Sequence, residues 1–203
     1  MAWPTPQDYN EAVQAPKVVF SDAELKGAVP ETTKLGLPKA ITGNFACVYR
    51  FSRARKEWAV RCFHRRYAGR RDRYVQISGT LAGLGLPYTV RFDYIDQGIR
   101  MGGRWYPILK MEWVRGLVLT SYVEKNLAKP KAMKALTSEW LEMVAALRDA
   151  GIAHGDLQHG NVLVVGGKIR LVDYDGMYVP ALDGLRSNET GHPNYQHPHR
   201  TGS

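Results

Sequence analysis

The sequence predicts an α+β protein in which an antiparallel sheet with one helix is followed by a mainly helical region. Before residue 113, segments rich in β-branched and aromatic residues alternate with turn residues. After Gly116, apolar residues recur at helical spacing instead. The 203 residues suit one domain of moderate size. We therefore divide the chain into a leader (residues 1–33), a sheet region (34–113) and a helical region (114–203).

The leader and the first strands are predicted from composition. Proline, alanine and acidic or amide residues dominate the leader, where we expect one short helix near Asp8–Gln14. In the sheet region, Ile41–Phe51 and Lys56–Phe63 each read as one strand, and residues 52–55 form the turn between them.

One helix and a second strand pair complete the sheet region. Apolar residues spaced by three, four and three positions predict a helix over Arg70–Leu84, which Gly85 ends. Further strands are expected over Val90–Asp96 and Trp105–Met111, joined across the glycines of residues 98–103.

The helical region contains one long amphipathic segment and a short hairpin. Apolar residues from Met133 to Leu147 share one helix face, and Gly151 lies at the carboxyl cap. Two short apolar strands, Asn161–Val165 and Ile169–Val172, follow around a Gly-Gly turn.

Composition excludes several classes of protein. A hydrophobic content of 44% is too high for a disordered chain. No apolar run approaches the roughly 20 residues of a membrane-spanning helix, and the first residues lack the pattern of a signal peptide. We therefore expect a cytoplasmic protein. Cys47 and Cys62 have no metal-binding or disulfide-framework spacing, and we interpret them as small buried apolar residues rather than a redox pair.

The formal net charge is +9, and much of it lies between Arg53 and Arg73. Such charge attracts phosphate-rich partners, including nucleic acid. Runs of like charge are more often a solvated surface. We rank that interpretation first and expect no nucleic-acid partner.

The residues with the clearest chemistry follow the long helix. A short loop presents Asp156 and Asn161, and a second loop begins with Asp173 where the last apolar strand ends. Adjacent loops would bring these oxygen-bearing side chains together. Magnesium prefers hard oxygen ligands and bridges nucleotide phosphates, while a further carboxylate can orient a hydroxyl and take its proton. The pattern therefore favours phosphoryl transfer.

These segments resemble motifs of the protein-kinase superfamily. His154-Gly155-Asp156-Leu157-Gln158-His159-Gly160-Asn161 is similar to the catalytic loop H-R-D-L-K-x-x-N, and Asp173-Tyr174-Asp175 is similar to D-F-G. The resemblance implies a two-lobe kinase-like fold that uses ATP and Mg²⁺. It implies that Asp156 is the catalytic base, that Gln158 takes the place of a catalytic lysine, and that Asn161 and Asp173 bind the metal.

Upstream segments extend the resemblance to the nucleotide-binding residues. Ile41–Val48 is similar to a glycine-rich loop that keeps only its middle glycine, Gly43, and Ala59-Val60-Arg61 is similar to the A-x-K strand with arginine as the cation. Lys110–Gly116 is similar to the hinge that joins the lobes. The resemblance implies a set of ATP-binding residues: Gly43, Val48, Ala59, Arg61, the gatekeeper Met111, Glu112, Val114 and Leu163.

The match continues to residue 200 and favours a protein substrate. Gly191–His199 resembles the end of an activation segment, G-x-x-x-Y-x-A-P-E, although His197 and His199 replace the alanine and the glutamate. A histidine-rich metal tract is the lesser alternative. Residues 58–63 and 172–177 resemble a group of bacterial protein-kinase-like domains. The resemblance covers only part of a complete kinase, so we expect a fragment or a minimal form.

Departures from the motifs leave alternatives open. The helix over Arg70–Leu84 offers Gln76 or Ile77 where kinases place a glutamate, and Gly155 replaces an arginine that clamps a phosphorylated loop. We expect a Ser/Thr-type protein kinase acting on a protein substrate or signalling partner. A pseudokinase scaffold that binds nucleotide and a small-molecule kinase remain the alternatives.

Overall fold

The computed structural model describes residues 3–43, 45–185 and 191–195. The chain forms two compact units. Unit 1 is Met1–Tyr74 with Phe92–Trp113, and unit 2 is Val75–Arg91 with Val114–Ser203. Antiparallel sheets and several helices are present, which confirms the predicted α+β class.

The described part of unit 1 contains a six-stranded antiparallel sheet. Its strands are β1 (Val29–Pro30), β2 (Ala40–Thr42), β3 (Ala46–Arg53), β4 (Lys56–Phe63), β5 (Phe92–Met101) and β6 (Arg104–Glu112). The order is β1-β3-β4-β6-β5, and β2 also pairs with β3. Because side chains alternate along each strand, Tyr49 and Phe51 of β3 and Val60 and Cys62 of β4 point into one core, where they are fully buried.

The prediction of one strand over Ile41–Phe51 is wrong. Residues 40–42 pair antiparallel with residues 47–49, so the chain reverses direction between β2 and β3. The amide of Gly43 donates to the carbonyl of Ala46 over 2.9 Å and closes this turn. The turn escaped sequence analysis because Phe45 and Ala46 continue the apolar pattern of the strands.

The other predicted hairpins are close to the observed ones. The β3–β4 hairpin is confirmed. The turn between β5 and β6 is confined to Gly102 and Gly103, so β5 runs through Gly98, with an irregularity between Ile95 and Ile99. Both turn glycines have positive φ, 54° and 78°, as the tightest hairpin turns require.

The residues predicted as a leader form part of the core of unit 1. They contain three short helices, α1 (Pro6–Ala12), α2 (Pro16–Val19) and α3 (Ala23–Lys26), rather than the single helix expected. Apolar residues of this segment pack with the face of β3 that carries Phe51, and the buried members are Tyr9, Val13, Val19, Phe20, Leu25 and Ala28. Helix α1 lies within two residues of the helix expected near Asp8–Gln14, whereas α2 and α3 escaped prediction because neither is long enough to show a periodic pattern.

A buried cation attaches α3 to the sheet. The ammonium of Lys110 on β6 bonds both carboxylate oxygens of Asp22 (3.0 and 2.9 Å) and Glu24 Oε2 (2.7 Å). The Lys110 side chain is only 7% exposed, and its ammonium lies 5.3 Å from the centre of the Trp58 ring. Hydrogen bonds from Lys110 and then Lys56 lower the pKa of Glu24 to about 2.

We expect Lys110→Met to reduce the free energy of unfolding by about 2 kcal/mol, because it leaves Asp22 and Glu24 without their buried counter-ion. Urea denaturation at neutral pH measures this loss. The pKa of Glu24 is lower in the folded than in the unfolded state. The stability that ionised Glu24 contributes to the folded state is therefore fully present above its ordinary pKa of 4.5 and is lost as the pH falls towards 2. The difference between the two proteins should shrink over that range.

Lys39→Met is the matched control, because Lys39 bonds Glu31 on the surface and is 58% exposed. An exposed pair contributes at most about 1 kcal/mol. Equal losses in the two variants, or a Lys110→Met loss that does not change with pH, would contradict the assignment of Lys110 as the attachment point of α3.

Helix α4 (Arg70–Leu84) has the bounds that the sequence predicts. On its predicted apolar face, Tyr74, Ile77 and Leu81 are buried, whereas Leu84 is exposed. Gly85 follows with φ 58°, and its amide donates to the carbonyl of Leu81 over 3.1 Å. The division between the two units falls within this helix, after Tyr74.

Unit 2 combines helices with a three-stranded antiparallel sheet in its described part. The remaining elements are β7 (Leu117–Val118), α5 (Leu119–Asn126), α6 (Pro130–Asp149), β8 (Val162–Val165) and β9 (Lys168–Leu171). The strand order is β7-β8-β9. The long helix and the short hairpin confirm the prediction to within a few residues. Among the helices of the described ranges, none has the length and apolarity needed to cross a bilayer.

Helix α6 is tied to the hairpin by a buried carboxylate. Glu139 is buried, and its oxygens accept hydrogen bonds from Lys168 Nζ (2.7 Å) and from the amide of Ile169 (3.3 Å). Leu136, Met143 and Leu147 occupy the buried face of α6. The helix and β9 therefore form a fixed base for the loops at either end of the hairpin.

Candidate active site

Two loops of unit 2 carry the predicted catalytic and metal-binding residues. The first runs from the end of α6 to a 3-10 turn at His159–Asn161, directly before β8. The second follows β9 and contains Asp173. Ala153 and Tyr178 exchange backbone hydrogen bonds of 3.1 and 2.7 Å, which hold the two loops side by side.

Asp156 lies at the centre of a hydrogen-bond network. Its Oδ2 accepts hydrogen bonds from Gln158 Nε2 (2.7 Å) and from Asn161 Nδ2 (2.8 Å). Asn161 Nδ2 also donates to the backbone carbonyl of Asp156 over 3.0 Å. The structure thus brings together three of the predicted site residues and fixes the plane of the carboxylate.

The same network fixes the orientation of the Asn161 amide. Both acceptors of its hydrogen bonds are oxygens of Asp156, so the NH₂ group must face them. The amide oxygen Oδ1 therefore points away from Asp156. That oxygen is the atom of Asn161 that can bind a metal ion.

The pairing of the β8–β9 hairpin brings the backbone at Asp173 close to Asn161. The carbonyl of Asn161 accepts a hydrogen bond of 3.0 Å from the amide of Val172, the residue directly before Asp173. Asp173 has a φ of 64°, in the left-handed region that only short polar residues and glycine adopt readily. Its Oδ1 accepts from the amide of Asp175 over 3.4 Å. The loop is thus held in a conformation that sets the direction of the Asp173 carboxylate.

His154, in the first loop, contacts the second loop through its buried ring. It is buried, its Nε2 lies 3.1 Å from the carbonyl of Val172, and its ring packs edge-on against Tyr174. Burial lowers the pKa of His154, so the ring is neutral at pH 7. Nε2 then carries the proton and donates it to Val172.

The Tyr174 hydroxyl fixes the second loop to the rest of unit 2. It donates to the carbonyl of Leu171 (2.7 Å) and accepts from the amide of Val90 (2.7 Å). Burial raises the pKa of Tyr174, so the hydroxyl stays protonated. The residue after Asp173 thereby anchors the loop on two neighbouring segments.

Gly155 is the closest point of contact between the loops. Its φ is 83°, and a Cβ added there would overlap the carbonyl oxygen of Gly176 and lie 2.7 Å from its carbonyl carbon. Only glycine fits this position. The glycine at residue 155 therefore has a local steric reason, which the sequence alone does not reveal.

A third segment, residues 191–195, reaches the same carboxylate. The amide of His192 donates to Asp156 Oδ1 over 2.8 Å. The Tyr195 hydroxyl lies 2.6 Å from His159 Nδ1. These contacts were missed by sequence analysis, because no spacing signal connects residues 36 positions apart. His197 and His199 of the predicted activation segment lie outside the described residues.

The sheet of unit 1 brings four of the predicted ATP-binding residues together. Val48 is opposite Arg61, and Ala59 is opposite Met111, so all four side chains lie on one face of β3, β4 and β6. This is the face opposite Cys47, Tyr49, Val60 and Cys62, and the four residues on it are only partly buried. The predicted set is therefore a contiguous surface of unit 1.

The other predicted ATP-binding residues occupy separate places. Gly43 lies in the β2–β3 turn, and Glu112 ends β6 with its side chain exposed. Val114 and Leu163 belong to unit 2, where Leu163 pairs with Val118 of β7. Arg61 also takes part in interactions within the structure.

The site offers the type of ligand atom that magnesium prefers but does not surround a metal ion. Among the described residues, no group of three or more His, Cys, Asp and Glu side chains is placed to hold a metal. Asn161 Oδ1 and the Asp173 carboxylate are hard oxygen donors of the kind that Mg²⁺ prefers. Magnesium commonly keeps several waters and binds through one or two protein ligands together with substrate phosphates. Such a site would need nucleotide to be complete.

Comparison of the chain with protein-family models and with curated proteins gives no match in either case.

Proposed function

We propose that this protein transfers the γ-phosphate of ATP to serine or threonine hydroxyls of a protein substrate, with Mg²⁺ as cofactor, on a protein-kinase-like two-lobe fold. The observation that carries the proposal is the network around Asp156. A carboxylate held by Gln158 and Asn161 lies in one loop, and the hydrogen bond from the Val172 amide to the Asn161 carbonyl joins this loop to the one that begins with Asp173. Phosphoryl transfer needs a positioned base and a nearby magnesium site, and the protein has little covalent chemistry to perform.

The hydrogen bonds suggest how Asp156 would act. From the described part of the chain, its Oδ2 accepts two hydrogen bonds and its Oδ1 accepts one, from the amide of His192. We assign Oδ1 to the substrate hydroxyl, which it would orient and deprotonate. Gln158 would hold the carboxylate in place without adding the positive charge of a lysine. Asn161 and Asp173 would hold the magnesium ion, which would supply positive charge to offset the charge on the transferred group.

The sheet of unit 1 supports nucleotide binding. Val48, Ala59 and Met111 offer an apolar, partly exposed surface of the kind that contacts an adenine ring. Arg61 lies on the same face, and its guanidinium would bind phosphate oxygens. Arginine forms a planar fork rather than a point charge, so it would not reproduce the geometry of the usual lysine. The backbones of Glu112 and Val114 would recognise the adenine edge.

One observation favours a second candidate, a nucleotide-binding module without transfer activity. Asp72 is the sole carboxylate in the sequence of α4, and its side chain is 79% exposed beside Arg71. Ile77, one of the positions expected to face the cation, is fully buried. The one carboxylate of α4 is therefore exposed beside Arg71 rather than at the position where kinases place a glutamate. A module of this kind would bind ATP and signal through its bound state.

Transfer of labelled γ-phosphate to added acceptors tests the proposal. The full chain is incubated with Mg-ATP and either a mixture of generic proteins or a panel of small hydroxyl compounds. The proposal predicts acid-stable phosphoserine or phosphothreonine on the proteins. Label on small compounds alone would instead indicate a small-molecule kinase. Tight Mg-ATP binding with no labelled product would favour the second candidate.

A further inference from the structure

Unit 1 contains a pair of thiols that the proposed function does not use. Cys47 on β3 and Cys62 on β4 are directly opposite each other in the antiparallel register. Directly opposite residues have Cα atoms about 4.5–5.5 Å apart and point to the same face of the sheet. Disulfide-bonded cysteines have Cα atoms within 4.4–6.8 Å of each other. The register therefore permits a bond that the spacing in sequence does not suggest.

A histidine lies against one thiol of the pair. His64 Nε2 is 3.0 Å from Cys47 Sγ, within hydrogen-bond distance. His64 is partly exposed, whereas both cysteines are fully buried and reduced. Cys62 has no such neighbour among the described contacts of its sulfur, and burial raises the pKa of its thiol. The two cysteines thus differ: Cys47 has an imidazole nitrogen beside its sulfur, and Cys62 is a protonated thiol in the core.

The Cys47 sulfur lies near exposed residues at the β2–β3 turn. The exposed Thr42 has its hydroxyl 3.7 Å from Cys47 Sγ, and Cys47 follows Gly43–Ala46 directly. Strand β2 has only three residues, so its pairing with β3 can open locally at little cost compared with unfolding of the sheet. A small oxidant could then reach Cys47 before it reaches Cys62.

We propose that Cys47 and Cys62 are a peroxide-reactive site, in which Cys47 is the nucleophile, His64 its base and Cys62 the resolving thiol. Cys47 gives its proton to His64 Nε2, and its sulfur attacks one oxygen of hydrogen peroxide. The S–O bond forms as the O–O bond breaks. The departing hydroxide takes the proton from His64 and leaves as water, so Cys47 becomes a sulfenic acid.

The second step closes the disulfide. The Cys62 sulfur attacks the Cys47 sulfur, the S–S bond forms and the S–O bond breaks. The hydroxide that leaves combines with the Cys62 proton to give a second water. Two thiols are thereby oxidised and one hydrogen peroxide is reduced to two waters. The product joins β3 to β4 covalently, directly after the turn that contains Gly43.

Peroxide titration of the folded full chain tests this site. After treatment, remaining thiols are alkylated and the protein is cleaved with trypsin without reduction. Residues 40–50 and 62–65 are then expected as one disulfide-linked pair of peptides, lost on reduction. In Cys62→Ala the sulfenic acid on Cys47 should accumulate and be trapped by a 1,3-dione reagent. His64→Gln should slow oxidation by about tenfold or more, whereas His159→Gln, in unit 2, should leave the rate unchanged.

The proposal would be overturned by two fully alkylated thiols after treatment, by a disulfide that links separate chains, or by equal oxidation rates in the two histidine variants. Thermal unfolding of each variant, measured before treatment, shows whether it remains folded. If Cys62→Ala does not fold, the peptide map of the native chain and the comparison of the histidine variants still decide the question. The result does not depend on whether the protein transfers phosphate.

Discussion

Replacing Gly155 with alanine is expected to lower the free energy of unfolding by roughly 3–5 kcal/mol. Two effects add. Alanine at φ 83° is strained, and its Cβ would overlap the carbonyl of Gly176. The Gly176 carbonyl is backbone in the adjacent loop and cannot move aside as a flexible side chain could. Urea denaturation followed by tyrosine and tryptophan fluorescence measures the loss.

Gly184→Ala separates the two effects. Gly184 has a similar φ of 76°, and no described atom lies within 4 Å of a Cβ added there. The stability of Gly184→Ala should therefore fall only by the backbone strain of about 1 kcal/mol. If the two variants lost the same stability, the close approach of the two loops would not be the reason for glycine at residue 155.

Asp156→Asn is expected to reduce phosphoryl transfer by about a thousandfold and to leave Mg-ATP binding nearly unchanged. The amide keeps the shape of the carboxylate but cannot take a proton. In the native chain, donors face both oxygens of the Asp156 carboxylate. An asparagine has one oxygen, which accepts, and one NH₂ group, which cannot, so the hydrogen bonds from Gln158, Asn161 and His192 cannot all be kept. Initial rates of labelled phosphate transfer measure the loss.

Asp183→Asn is the matched control for this variant. Asp183 is an exposed carboxylate of the same unit, in weak contact with the Tyr178 hydroxyl at 3.5 Å. It should transfer phosphate at the native rate. Native activity in Asp156→Asn would show that Asp156 is not the base. Loss of ATP binding in that variant would show that the carboxylate serves binding or folding instead.

The loop residues of the site were predictable because their spacing is local. Asp156 and Asn161 are five positions apart, and one 3-10 turn brings the Asn161 amide back to the Asp156 carboxylate. The hairpin β8–β9 then places Asp173 beside Asn161 by register alone. Short-range geometry of this kind can be inferred from motif spacing together with the apolar strands on either side.

Long-range contacts were not predictable in the same way. The bond from the His192 amide to Asp156 and the overlap that forbids a side chain at residue 155 depend on how separate segments pack. No composition or periodicity encodes such packing. Helices α2 and α3 were missed for another reason. They are short, and what stabilises them is burial of residues such as Val19 and Leu25 rather than an amphipathic pattern.

Register explains both the successes and the omissions in unit 1. Their composition predicted strands over β3 and β4, and the observed pairing puts Val48, Ala59, Arg61 and Met111 on one face. The same pairing puts Cys47 opposite Cys62 on the other face. The spacing of the two cysteines in the chain holds no information on their cross-strand partners.

Titration of ATP into the native chain by calorimetry, with and without magnesium, tests the central claim most directly. It is repeated with Asp173→Asn, because asparagine tolerates the positive φ of residue 173 but lacks the charge, and with Asp183→Asn as control. We predict binding that depends on magnesium, is weakened at least about tenfold in Asp173→Asn and is unchanged in Asp183→Asn. No binding by the native chain, or binding that is indifferent to both magnesium and Asp173, would contradict the account.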